Sequence, residues 1–304
     1  MSSRVPGHRT RSVRLSLFLL LLVCALLAAG ALVAVELGAG RPSAGEPRCV
    51  VTTERSGERT RHVLSAEQAA NAALITAEAV ERGIGPRAAV VALATAMQES
   101  QLVNLDYGDR DSVGLFQQRP SQAWGTVEQI MDPEYATGAF YDRLAELDYR
   151  SMPVTEAAQA VQRSAHPDAY AQHEPVARAF AEALTGRAEA ALNCVLPPPE
   201  QAGDPARAAE ALGAAFGPAA PAARVAADRL VVPSPGKTAG WAVAHWAVAN
   251  AAELGISQVS FDGRTWARAD QRTTRFAPAP GWVEAADPDG GPGAGDVVVD
   301  LARP

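Results

Sequence analysis

Residues 65–100 read SAEQAANAALITAEAVERGIGPRAAVVALATAMQES, and this stretch decides the fold. It describes two successive helices. Ser65 and Gln68 stand three apart ahead of an apolar-periodic run, the pattern of a capping box. The first helix carries Asn71, Leu74, Ile75 and Glu78 to about Arg82, where Gly83 is placed to stop it. Pro86 suits the first turn of the second helix. Its Val90, Val91, Leu93, Ala94 and Met97 leave little polar surface, so it is expected in the core, ending near Ser100.

Downstream, helices are expected over residues 132–147, 155–163 and 174–184, two of them opened by Asp132-Pro133 and Glu174-Pro175. No alternating strand stands out between residues 60 and 190. The loop 101–113 has room for a short hairpin at most. Residues 60–194 are therefore expected to be an all-α domain of five or six helices.

Upstream, Arg4, Arg9, Arg11 and Arg14 precede an apolar run over residues 15–35 whose one clearly polar residue is Ser16. About 20 apolar residues span a bilayer, and the arginines place the N-terminus in the cytoplasm. The expectation is a single-pass transmembrane helix at the cell membrane. Residues 1–14 are then a cytoplasmic basic segment, residues 36–59 a stalk, and all that follows is extracytoplasmic. A cleaved signal peptide, cut near Ala29-Gly30-Ala31, is the rival reading. Cys24, inside the run, reads as a packing residue. Cys49 and Cys194 bracket the helical block, and exported thiols tend to pair. A Cys49–Cys194 disulfide is expected, with two free thiols as the alternative.

Composition narrows the function classes. The 304 residues suffice for about two domains. With 48% hydrophobic residues the chain is too apolar for a disordered protein. A net charge of -7 argues against a nucleic-acid partner, which would call for a basic face.

Glu99 is the most informative residue. It closes an apolar helix, and burial there disfavours the charged carboxylate and raises its pKa. The negative end of the helix dipole acts in the same sense. A general acid at a glycosidic bond needs that property. The plain alternative is a solvent-facing glutamate at a helix end. Two motifs weigh against it: Ala96-Met97-Gln98-Glu99-Ser100, and then Ser112-Val113-Gly114-Leu115-Phe116-Gln117. Together they resemble the lytic transglycosylases of the lysozyme superfamily, and are similar to the Ala-rich exported versions found in actinobacteria. The resemblance covers roughly residues 60–190.

That resemblance implies a lysozyme-like fold with Glu99 as the catalytic acid/base. Glu99 would protonate the glycosidic oxygen between N-acetylmuramic acid and N-acetylglucosamine. It would then take the proton of the sugar's own C6 hydroxyl as that oxygen closes onto C1. Ser100, Gly114, Leu115 and Gln117 would position the acid or line the substrate cleft. The family often has an Ala-Tyr-Asn motif on a later helix. Here the stretch reads Ala160-Val161-Gln162-Arg163-Ser164, and Tyr170 or Gln162 is left to replace the tyrosine. Asp106, Asp109 and Asp111 lie between the two motifs. One of them could serve as the second carboxylate of a hydrolytic muramidase; the alternative is a solvated turn.

Residues 195–237 are rich in Pro and Ala and read as a linker. Residues 238–304 are expected to form a small α+β domain: an apolar helix over 240–254, a hairpin about Asp262-Gly263, and a last strand over 295–301. Gly240-Trp241-Ala242-Val243-Ala244 and Asp262-Gly263-Arg264-Thr265-Trp266 resemble a C-terminal module of actinobacterial cell-wall proteins. That module is distantly like zinc D,D-peptidases. Where its fuller members carry Asp-His-Val-His-Val, this chain has Asp296-Val297-Val298-Val299-Asp300. His245 reads as a packing or surface residue, and no metal or cofactor is expected.

The whole reading is an all-α lysozyme-like domain plus a small α+β C-terminal domain, behind an N-terminal transmembrane helix. Its function is that of a membrane-anchored peptidoglycan lytic transglycosylase. Its partners are glycan strands, the membrane and a secretion or conjugation complex. The alternative is an inert wall-binding or envelope-complex protein on the same scaffold.

Overall fold

The computed structural model describes residues 46–163, 167–268, 281–285 and 295–303. In chain order the elements begin with β1 (Arg48–Arg55), β2 (Glu58–Ser65), α1 (Ala66–Glu81) and α2 (Pro86–Ser100). There follow α3 (Val127–Ile130), α4 (Pro133–Ala145), α5 (Val154–Gln162), α6 (Glu174–Leu184) and β3 (Leu192–Val195). The remainder comprises α7 (Pro205–Phe216), β4 (Arg224–Ala226), β5 (Arg229–Pro233), α8 (Lys237–Ala249), α9 (Ala251–Leu254), β6 (Ile256–Phe261), β7 (Arg264–Ala267), β8 (Val283–Glu284) and β9 (Asp296–Leu301). Short 3-10 turns lie at Pro120–Gln122, Pro167–His173 and Gly217–Ala219.

These elements overturn the expected fold class. The first part is not all-α, because β1, β2 and β3 form an antiparallel sheet in the order β2-β1-β3. The chain is mixed α/β, with a second antiparallel sheet in the order β4-β5-β9-β6-β7-β8. Ser56 and Gly57 both take positive φ, 53° and 81°, which closes β1 onto β2 through a two-residue turn whose twist matches the strands. Residues read as stalk and linker thus supply β1 and β5.

The membrane expectation is corrected as well. Among the described residues no helix is long and apolar enough to cross a membrane. The run 15–35, and Cys24 within it, lie outside the described residues.

The helical core follows from local signals. Ser65 accepts from the Gln68 backbone N–H while the Gln68 side chain accepts from the Ser65 N–H, closing the capping box on α1. In α2 every residue from 88 to 97 is buried, so the helix is wrapped on all sides. Helices α1, α4, α5 and α6 surround it. Tyr141 anchors α4 by donating to the Ile75 carbonyl at 2.8 Å.

Helix α8 has the same character, with residues 240–249 all buried. One side meets β6 and β9, and another meets α1, α6 and β3. Gly240 permits the close approach, since a Cβ there would lie 2.0 Å from the Phe261 ring. The described residues from 46 onward accordingly form one compact unit. Cys49 and Cys194 stand opposite each other in the β1/β3 ladder and are joined by a disulfide.

His245 is fully buried on α8 and ties three segments together. Its Nδ1 donates to the Ala183 carbonyl at 2.7 Å, and its Nε2 accepts from the Ala191 N–H at 3.1 Å. Both nitrogens are used by a neutral ring, and burial lowers the pKa to about 4 from 6.5. In the unfolded chain the ring takes up a proton below pH 6.5, whereas the folded protein resists until pH 4. Stability is therefore full above pH 6.5 and declines as the pH falls, by about 2 kcal/mol for this group at pH 5. Thermal melts should show that decline, with His245→Gln flatter over pH 6.5–5. Parallel slopes would contradict it.

Candidate active site

Helix α2 is stopped abruptly. Gln101 and Leu102 take left-handed φ of 56° and 59°, and their N–H groups return to the Met97 and Ala96 carbonyls. From α1, Gln68 Nε2 donates to the Gln101 carbonyl and Asn71 Nδ2 to the Leu102 carbonyl, both at 2.8 Å. This fixed reversal sets the direction of the last helical side chains, Gln98, Glu99 and Ser100.

The second motif folds into a tight turn against the helix end. Val113 and Gln118 exchange both backbone hydrogen bonds at 3.0 Å. Between them, Ser100 Oγ donates to the Leu115 carbonyl at 2.7 Å, and Gln162 Nε2 donates to the Phe116 carbonyl at the same distance. Phe116 stacks on Phe140 with ring centroids 4.6 Å apart. Gly114 has φ +82°, and a Cβ there would meet the Ile130 carbonyl at 2.7 Å. Its glycine character is thus explained by packing inside the protein. Leu115 is fully buried, so it reaches the site through its backbone. Gln117 is half-buried and donates to the Tyr107 and Gly114 carbonyls at 3.2 and 3.3 Å.

Glu99 is half-buried. Tyr170, on the 3-10 turn before α6, donates its hydroxyl to Glu99 Oε1 at 2.6 Å. Burial raises the Glu99 pKa. The Tyr170 hydroxyl, the Gln162 amide and the Arg119 charge oppose that rise without cancelling it. Among the described residues, no carboxylate contributes appreciably to this balance. A carboxyl group whose pKa is raised by burial, yet supplied with donors for its ionised form, is equipped to give up a proton and take it back.

The three aspartates are otherwise employed. Asp109 accepts from Arg119 at 2.7 Å, and Asp111 accepts from the Ser121 N–H and hydroxyl at 2.9 and 3.0 Å. The Ser121 backbone bond is the main cause of a lowered Asp111 pKa. Asp106 is exposed. The sequence reading passed over Arg119, which also donates to Ser112 at 2.8 Å and is the charge nearest in effect to Glu99. Its position two residues after Gln117 was the available signal.

No group of three or more His, Cys, Asp or Glu side chains suited to a metal occurs among the described residues. Among the described residues of the C-terminal part, Asp296 pairs with Arg224, Asp300 with Arg229, and Asp262 with Lys237. Comparison with protein-family models gave no match, and comparison with curated proteins gave none.

Proposed function

We propose that the protein cleaves the glycan strands of peptidoglycan as a lytic transglycosylase, with Glu99 as its single acid/base. The observation that carries this reading is the Glu99 environment. A carboxyl group ends an apolar helix with its pKa raised by burial, a tyrosine hydroxyl rests on one oxygen, and no second carboxylate acts on it among the described residues. In the first step Glu99 gives its proton to the glycosidic oxygen as the bond to C1 breaks. In the second, the C6 hydroxyl oxygen of the same sugar bonds to C1 and its proton passes to the Glu99 carboxylate. Tyr170 and Gln162 donate to that carboxylate and so stabilise the state between the two transfers.

Digestion of purified peptidoglycan, followed by mass spectrometry, tests the reading. Products ending in 1,6-anhydro sugars are expected. Reducing ends would indicate hydrolysis through a second carboxylate, and intact glycan would sink the enzymatic reading.

Tyr170 makes a separate prediction. Tyr170→Phe removes a donor that favours the ionised acid, so the Glu99 pKa rises further. The basic limb of the pH–rate profile should move to higher pH, and the rate should fall about tenfold, the worth of a hydrogen bond to a charged group. A profile that stays in place would show that the hydroxyl does not bear on the acid.

A further inference from the structure

Three consecutive residues at the end of α2 are each held from a different direction. Ser100 is tied to the turn at Leu115, Glu99 to Tyr170, and Gln98 to the same 3-10 turn two and three residues beyond Tyr170. Gln98 Oε1 accepts from Gln172 Nε2 at 3.2 Å and from His173 Nε2 at 3.0 Å. As the amides are oriented, two donors converge on the Gln98 oxygen and use both of its lone pairs. In that orientation His173 holds its proton on Nε2.

What remains unspent is informative. Both N–H bonds of Gln98, and the Oε1 and the second N–H of Gln172, have no protein partner among the described residues. Gln172 is exposed and Gln98 half-buried, so both can be reached from solvent. Of the two carboxylates that flank Gln172 in sequence, Glu174 is bound by Arg178 and Asp168 is exposed. The surface beside Glu99 therefore offers hydrogen-bond donors and an acceptor held on a common support. A secondary amide presents the complementary pair, a carbonyl and an N–H.

We infer that Gln98 and Gln172 form a subsite for a secondary amide of the substrate, adjoining Glu99, with His173 as the residue that orients Gln98. The inference rests on the glycan-cleaving reading for the identity of the ligand. On a peptidoglycan strand that amide has two sources, the 2-acetamido group of a sugar and the first peptide bonds of the stem. The unused amide oxygen favours a ligand that donates as well as accepts, as a secondary amide does and a carboxylate does not.

The test uses the full chain carrying Glu99→Gln, so that binding is measured without cleavage. Titration calorimetry would compare N-acetylglucosamine oligomers, the same oligomers de-N-acetylated, and glycan strands with and without stems. If the acetamido group is the ligand, acetylated oligomers bind about tenfold or more tightly than deacetylated ones, as for a site built around a hydrogen bond. Gln98→Met or Gln172→Met should erase that ratio. If stem amides are the ligand, the ratio appears between strands with and without stems and is erased by the same substitutions. Both positions are partly or fully exposed, so the fold should persist, which circular dichroism checks. Ratios that survive both substitutions would overturn the subsite. In an otherwise wild-type background, KM should rise with each substitution and kcat change less. A wild-type chain that cleaves nothing, yet binds amides in a Gln98-dependent way, would remove the catalytic reading and leave the subsite standing.

Discussion

Replacing Glu99 by Gln should abolish release of muropeptides from purified peptidoglycan, a loss of about 100- to 10,000-fold, the usual worth of general acid–base catalysis. The substituted amide keeps the shape of the carboxyl group and can still accept from Tyr170 Oη. It has no proton to transfer at any working pH. Because Glu99 is only half-buried, the change should leave the melting temperature nearly unaltered. By contrast, Asp106→Asn, Asp109→Asn and Asp111→Asn should each cost far less activity. Asp109 and Asp111 hold the loop through Arg119 and Ser121, and any loss there should come with a lower melting temperature. Full activity in Glu99→Gln, or an equal loss in an aspartate variant of unchanged stability, would reassign the acid.

The second large effect concerns the bond that closes β1 on β3. Cys49 and Cys194 are 145 residues apart in sequence. For a loop of that length the chain-entropy account gives about 5 kcal/mol. Both sulfurs are fully buried, so the double substitution Cys49→Ala and Cys194→Ala is the cleaner comparison. Serine would bury two hydroxyls without assured partners. A domain of this size should then melt about 10–20 °C lower. A melting temperature within a few degrees of the parent would show that the β1–β3 ladder holds without the bond.

The legible part of the fold is the part written locally. The capping box at Ser65, Pro86 at the start of α2, and the apolar stripe through Val90 and Met97 lie within one or two turns of what they determine. The β1–β2 hairpin was missed for a physical reason. Its outer strand begins Glu58-Arg59-Thr60-Arg61, all exposed, and shows no alternation. Its inner strand buries Cys49, Val50 and Val51 in succession. Ser56-Gly57 was the remaining clue. At the site, Glu99 and Ser100 could be read from position, while Tyr170 and Gln162 could be named only as candidates. Gln162 meets Phe116 across 46 residues and Tyr170 meets Glu99 across 71, joined by a chain reversal that no local pattern encodes. His245 shows the same limit. Its partners at Ala183 and Ala191 belong to segments more than fifty residues away, so its role as a neutral buried link could not be told from packing or exposure.

The burial of α8 on every side bears on how such a protein can be inherited. A module joined to its neighbour by a tether can be lost, duplicated or exchanged by recombination without harm to the rest. Here, ending the chain before Lys237 would strip the cover from α1, α6 and β3 and leave Ala183 and Ala191 without their imidazole partner. The newly bared apolar faces would favour self-association. Loss of the C-terminal half would therefore destabilise the N-terminal half. Limited proteolysis should mirror this constraint, with a nick near residue 200 leaving two fragments that still travel as one particle.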